Sequence, residues 1–279
     1  MNGAGCKEFT AAYQESVAQV VRFWTPEMQT EIASHNIAWA PGKFDFHAYL
    51  RASVQRYHRA YSALAGRSGP VCDVGGFWGV FPLTLRRLGY SVTMTEAMEY
   101  YGRSFDPLFE YLAQQDVTIS DYDPFTAADG LPGKFDAIFI MAVLEHYPHS
   151  LERFMRNVQS GLSEGGLLYV EVPNIAYWPK RIQLLRGRTP CVTIGDIYHS
   201  RVPFTGHHHE FTMQELRELA RMAGLRVTRE EYYNYSGSGI RALLSTPVTA
   251  LAGRFSPSSR EVLAVACTQR CAGGTTIRA

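Results

Sequence analysis

The sequence predicts an α/β protein, a mostly parallel sheet with helices on both faces. Three observations carry this. From residue 70 onward, short apolar runs alternate with helix-compatible segments, the rhythm of repeated strand–helix units. The first unit, Val71-Cys72-Asp73-Val74-Gly75-Gly76-Phe77-Trp78-Gly79, is an apolar run that ends in an acid and breaks into a glycine-containing turn before an apolar helical segment, Val80–Leu88. Finally, 46% of the residues are hydrophobic, yet no run approaches 18 apolar residues, which predicts a globular chain without a membrane span.

In chain order, residues 8–65 read mostly as helix. Val17, Val20, Val21 and Trp24 fall at helical spacing, and Pro26 suits the start of a second helix. Ala40-Pro41-Gly42 is a break, and Asp45 can cap a third helix to about Ala65 that carries Tyr49, Leu50, Val54, Tyr57 and Tyr61. Strand one is Val71–Val74. Strand two, Ser91–Thr95, closes on Glu96; the helix after it covers roughly Tyr100–Gln114, with Pro107 arguing for a kink or a late start. Strands three and four are Val117–Ser120 and Phe135–Met141. A helix over Leu151–Leu162 and strand five, Leu167–Val172, follow. After Pro173 the rhythm stops. Residues 173–206 read as a long irregular lid or binding loop with Tyr177, Trp178, five basic residues and one acid, Asp196. Phe211-Thr212 opens a helix to about Ala223, and Leu225–Tyr233 and Glu261–Thr268 read as strands. The stretch 236–259 between them is rich in glycine, serine and proline, and the tail after Arg270 is expected to be disordered. The division expected is a helical cap over 1–66, a main domain over 67–270 with an insertion at 173–206, and a tail over 271–279.

Bulk properties exclude several classes. The segment Met1–Phe9 is polar and mixed in charge, unlike a secretion signal. The five cysteines, Cys6, Cys72, Cys191, Cys267 and Cys271, form no C-x-x-C pair, which argues against zinc ribbons and redox motifs and for a reduced, cytoplasmic setting. A net charge of +1 supplies no general attraction to nucleic acid.

The chemistry-bearing residues fall at the carboxyl ends of the expected strands, where open parallel sheets bind ligands. In the first turn the acid precedes the glycines and no lysine follows, the reverse of a phosphate-cradling loop; Asp73 suits a ligand with ammonium or hydroxyl groups. Glu96 lies about 20 residues beyond the first glycine, where a carboxylate reaches ribose hydroxyls. Asp121 after strand three can take an adenine amino group with Tyr122 beside the base, although Asp121-Tyr122-Asp123-Pro124 is also good turn chemistry. After strand four come Glu145 and His146, adjacent titratable groups; an imidazole is the best general base near neutral pH. His207-His208-His209 precede a helix capped by Thr212. Consecutive histidines do not share a face, so a metal site made from that run is not expected, although one ring can reach the substrate. The candidate catalytic residues are His146, Glu145 and His208. Trp39, Tyr177 and Trp178 suit stacking on sugars or flat rings.

Together, Asp73-Val74-Gly75-Gly76-Phe77-Trp78-Gly79, Glu96, Asp121, Phe135-Asp136, Leu144-Glu145-His146, Glu171-Val172-Pro173-Asn174 and Gly206-His207-His208-His209-Glu210-Phe211-Thr212 resemble class I S-adenosylmethionine-dependent methyltransferases. The resemblance is closest to the small-molecule group with ubiquinone-biosynthesis and sugar O-methyltransferases, and it covers about residues 68–270. It implies a three-layer Rossmann-like sandwich whose seven-stranded sheet has an antiparallel last strand. It also implies that Asp73, Gly75, Gly76 and Gly79 line the methionine moiety, Glu96 the ribose, and Asp121 and Tyr122 the adenine, with Met141 beside the cofactor. The family usually has glycine where Phe77 stands. The expected reaction is methyl transfer to oxygen of a small molecule, a sugar or natural product, yielding S-adenosylhomocysteine. No residue spacing supports a divalent metal. Two other readings stay open: an NAD(P)-dependent oxidoreductase, disfavoured because Gly-x-Gly-x-x-Gly is not met, and a non-catalytic cofactor-binding homologue, which Phe77 keeps open.

Overall fold

The computed structural model describes residues 3–35, 42, 44–147, 150–200, 204, 206–235 and 256–269. Trp39, Cys271, most of the 236–259 stretch and the tail lie outside the described residues. Seven strands, β1 (Val71–Val74), β2 (Val92–Glu96), β3 (Val117–Asp121), β4 (Phe135–Met141), β5 (Leu162–Pro173), β6 (Leu225–Tyr233) and β7 (Val262–Gln269), form one sheet in the order β3-β2-β1-β4-β5-β7-β6. β1 to β5 pair in parallel, and β7 runs antiparallel to both β5 and β6. This is the seven-stranded Rossmann-like sandwich with an antiparallel last strand. All four positions of β1 are buried, as a strand covered on both faces requires, whereas the edge strands β3 and β6 carry exposed positions.

Side-chain alternation splits the core into two layers. Val71, Phe139 and Tyr169 face one layer, with α1 (Gly3–Val20), α3 (Phe46–Ser62), α4 (Val80–Arg87) and α5 (Asp106–Gln114). Cys72, Ile138, Ile140 and Leu168 face the other, with α6 (Leu151–Ser160) and α9 (Met213–Met222). The predicted caps are present. Asp45 Oδ1 accepts from the Ala48 N–H at 2.9 Å, and Thr212 and Glu215 form a capping box. α2 (Pro26–His35) starts at Pro26, and α5 starts late, with Pro107 in its first turn.

The chain departs from expectation in two places. β5 begins at Leu162 rather than Leu167, because Leu162 already pairs with Phe135 before a register shift at the Gly165-Gly166 turn. The segment 173–206 is not irregular: it holds α7 (Trp178–Leu185) and α8 (Ile194–His199). Neither helix buries a residue; α7 spaces Trp178, Ile182 and Leu185 as a helix does, but at eight and six residues both are too short to stand out along the sequence.

Candidate active site

The carboxyl ends of β1, β2, β4 and β5 collect the predicted residues. Register sets Glu96 opposite Asp121 and Met141 opposite Glu171. In the β1–α4 turn, Gly75 (φ +67°) and Gly79 (φ +75°) take left-handed conformations that favour glycine. A Cβ on Gly75 would meet Val143 at 2.8 Å, which shows how closely this turn approaches the loop after β4. Gly76 leaves room for the Asp73 carboxylate, since a Cβ there would lie 2.8 Å from Asp73 Oδ2.

The two acids expected to grip the cofactor are more buried than an open strand-end cleft would leave them. Asp73 is 2% and Glu96 6% exposed. The physical cause is the roof over them. The Phe77 N–H donates to Glu96 Oε1 at 2.6 Å, and the Tyr101 hydroxyl donates to Oε2 at 2.8 Å. The Phe77 ring packs on Tyr101 and Phe105, and Trp78 packs against the stacked Trp24–Phe46 pair of the N-terminal segment. Phe77 and Trp78 therefore tie the turn to its cover. Burial pushes Glu96 up to about 7 against those two hydrogen bonds. Burial, with the Glu96 charge adding to it, holds Asp73 well above the usual carboxylate range.

The adenine-side candidates are more exposed and locally braced. Asp121 Oδ1 accepts from the Met98 N–H at 3.1 Å, and the Tyr122 hydroxyl donates to the Asp129 carbonyl at 2.9 Å. Asp123 accepts from the Phe125 N–H and the Thr126 hydroxyl, which is turn chemistry. Met141 is buried and leads into Ala142 at φ +57°, a left-handed non-glycine residue at the start of the next loop.

That loop carries Leu144-Glu145-His146, and backbone bonds lock it to the 206–210 segment: the N–H groups of His208 and His209 both donate to the Glu145 carbonyl. Glu145 is 1% exposed, its Oε2 has no hydrogen-bond partner, and burial pushes it up to about 7 against the pull of His207. His146 lies edge-on to His207 with ring centroids 4.8 Å apart. Of the three consecutive histidines, the predicted His208 faces outward. Its exposed ring donates to the Phe204 carbonyl at 3.0 Å, and His209 pairs with Glu215. His207 takes the inward place because neighbouring side chains diverge. Glu145, His146 and His207 offer one ligand atom each, all within 4.8 Å of one another, so tertiary structure assembles a donor set for a divalent cation that spacing did not suggest. Tyr177 and Trp178 are half-buried where α7 begins.

Sequence reasoning missed Arg56. It is 3% exposed; its Nε lies 2.5 Å from Glu171 Oε1, its Nη1–H donates to the Tyr49 hydroxyl at 3.0 Å, and Tyr233 donates to the other Glu171 oxygen. The signal was available: Leu50, Ser53, Arg56, Tyr57 and Ala60 mark the buried face of α3, with one charge among them. An open cleft of about 520 Å³ lined by Phe125, Tyr147, Arg153 and Arg156 contains none of the predicted site residues.

The fold and this acidic edge fit a class, the α/β enzymes whose ligands bind outside the carboxyl ends of parallel strands. The comparisons agree. The methyltransferase-domain family matches residues 46–230, so the match takes in α3 and ends within β6. A ubiquinone biosynthesis O-methyltransferase of Xanthomonas campestris pv. campestris is 30% identical over 186 residues, covering 65% of this chain and 70% of that protein. Among solved structures, the 1,6-didemethyltoxoflavin-N1-methyltransferase of Burkholderia thailandensis superposes with a TM-score of 0.51 at 15% identity, covering 92% of this chain and 90% of that one. The magnesium protoporphyrin IX methyltransferase of Synechocystis gives 0.51 at 15% identity, covering 84% and 92%. The chain belongs to the methyltransferase-domain family, as a class I S-adenosylmethionine-dependent enzyme. That membership displaces the oxidoreductase reading.

Proposed function

We propose that this enzyme moves the methyl group of S-adenosylmethionine to a hydroxyl oxygen of a small molecule, with sugars and phenolic natural products as the acceptor classes to screen. The observation that carries the reading is the pairing of buried Asp73 and Glu96 at the ends of β1 and β2 with Glu145 and His146 at the end of β4. Asp73 takes the ammonium of the methionine moiety, Glu96 the ribose diol, and Asp121 with Tyr122 the adenine, while Gly75, Gly76 and Gly79 let the backbone approach. The named relative acts on oxygen in ubiquinone biosynthesis, and the two solved enzymes above are described with S-adenosylhomocysteine bound, which supports the cofactor assignment by analogy.

Sulfonium is a good leaving group, so alignment carries much of the acceleration; orientation of two bound reactants supplies on the order of 7–11 kcal/mol. An aliphatic hydroxyl also needs its proton removed, worth about 10²–10⁴-fold. The group beside the β4 loop for that task is an imidazole. A cytoplasmic setting belongs to this reading, supported by Cys6, Cys72, Cys191 and Cys267 forming no disulfide among the described residues. A small-molecule acceptor rather than nucleic acid fits the net charge of +1.

The test is thermal: S-adenosylhomocysteine is expected to raise the melting temperature, and Asp73→Ala or Glu96→Ala to abolish the rise. An undiminished rise in both variants would overturn the assignment. An acceptor screen read by the mass of one added methyl group, with and without magnesium, then identifies the product.

A further inference from the structure

We propose that Glu145, His146 and His207 bind one divalent transition-metal ion of the zinc class. The proposal goes beyond the methyl-transfer reading and does not depend on it, since its test reads ion binding. Glu145 and His146 lie in the short turn Leu144–His146 that follows β4, and His207 comes from the segment that enters α9. Two backbone bonds set these segments side by side: the His208 and His209 N–H groups donate to the Glu145 carbonyl at 2.7 and 3.3 Å. The three side chains then offer one ligand atom each, all within 4.8 Å of one another, with Glu145 buried and the two rings half-buried.

Two further observations point to an ion at this cluster. The first is Glu145 itself, which is 1% exposed and whose Oε2 has no hydrogen-bond partner. A buried polar atom without a partner costs free energy, and native structures usually supply one. Arg56, whose charge acts on Glu145, is already paired with Glu171. The second is the way His207 is held. Glu210 Oε1 accepts from its Nδ1 at 3.0 Å, and the Lys180 ammonium from α7 holds the other Glu210 oxygen. A carboxylate on one ring nitrogen is the usual outer contact of a ligating histidine, because it fixes the ring and directs the other nitrogen to the metal. Nε2 is then the ligand atom of His207. The other two rings of the run are engaged elsewhere, His208 with the Phe204 carbonyl and His209 with Glu215.

The donors select the ion. Imidazole nitrogen suits zinc, nickel, copper and iron, whereas magnesium and calcium take oxygen ligands. Ligand atoms on one tetrahedral zinc stand about 3.3 Å apart. The rings of His146 and His207, edge-on with centroids 4.8 Å apart, therefore turn inward as the ion enters. Three protein ligands leave a position for water or another oxygen, whose proton the ion makes easier to lose. A ligating imidazole has its lone pair on the ion, so neither ring is a free base while the ion is bound.

The experiment uses the full-length protein, stripped with a chelator and titrated with Zn2+ and, as a coloured probe, with Co2+. One ion per chain is expected. Glu145→Gln and His207→Gln are each expected to weaken zinc binding by more than about 100-fold, and Glu210→Gln, which keeps the ligands and changes only the outer contact, by about 10–100-fold. His209→Gln is expected to leave it unchanged. Folding of every variant is checked by its melting transition without metal. X-ray absorption at the zinc edge of the unmutated protein needs no variant, and is expected to show two imidazoles, oxygen and no sulfur. Sulfur ligation would move the ion to an exposed thiol, Cys6 or Cys191, and overturn the site. Zinc binding that survives both Glu145→Gln and His207→Gln, or no saturable uptake of either ion, would overturn it as well. Displacement of zinc by excess magnesium would overturn the class of ion.

Discussion

Two helical segments reach the carboxyl edge of the sheet, and they are held there in opposite ways. The first, α1 to α3, is sewn into the core. Phe9 and Leu50 are fully buried, the Tyr13 hydroxyl donates to the Leu50 carbonyl at 2.6 Å, Arg56 pairs with Glu171 beneath it, and Glu31 accepts from Ser104 at 2.6 Å. The second, α7 and α8, buries nothing: Leu185 is 80% and Tyr198 81% exposed, and its ties include the Lys180–Glu210 ion pair and a bond from Arg181 to the Ala176 carbonyl. Moving the first cover would expose a core, whereas moving the second costs a few polar contacts. The first cover is therefore fixed by burial, whereas the second is held mainly by polar contacts.

The largest test of that contrast is Arg56→Ala. It leaves the Glu171 carboxylate buried with Tyr233 as its remaining partner, and breaking a buried pair in this way costs about 3–5 kcal/mol. Urea denaturation measures it; a loss under about 1 kcal/mol would mean the first cover is peripheral, like an ordinary surface substitution.

A smaller effect comes from the acids under the first cover. Glu96 is raised from 4.5 to about 7, so the folded protein holds its proton more tightly than the unfolded chain does. Its stabilising contribution is fully present below the unfolded value of 4.5 and is lost as pH rises through about 7. Without cofactor, the melting temperature is expected to decline across that window, and Glu96→Gln to lessen the decline, Glu145 and Asp73 supplying the rest. A melting temperature that stays level there in the unmutated enzyme would show the acid to be solvated, and the roof of Phe77 and Tyr101 to be open.

The smallest expected change belongs to the second cover. Leu185→Ser or Tyr198→Ser should shift stability within about 0.5 kcal/mol, as exposed positions do. A drop of several degrees in either would show that these helices are packed in solution and would erase the contrast.

Most of the fold was legible because its signals are local. The strands are short, largely apolar runs, α3 and α9 start at the caps Asp45 and Thr212 read from the sequence, and β4 and β6 fall where run length puts them. The antiparallel β7 followed from the family resemblance instead. The two helices of the second cover escaped because they are short, eight and six residues, and lie in a basic stretch after Pro173 where the strand–helix rhythm stops. On the site, Asp73, Glu96 and the Glu145-His146 pair were marked by their positions at strand ends. The choice among His207, His208 and His209 was not, because adjacent residues differ only in the direction their side chains leave the backbone, and Glu145 settles that through hydrogen bonds from a segment about sixty positions away.

By itself the sequence determined the strand–helix order, the acid-then-glycine turn at Asp73 and the family, because each is written in residues close together along the chain. Tertiary structure alone decided that Arg56 meets Glu171, that Trp78 anchors the β1–α4 turn to the first cover, and that His207 stands beside His146. These contacts join distant segments, and their strength comes from removing charge and aromatic surface from water, which happens only once the sheet has brought those segments together.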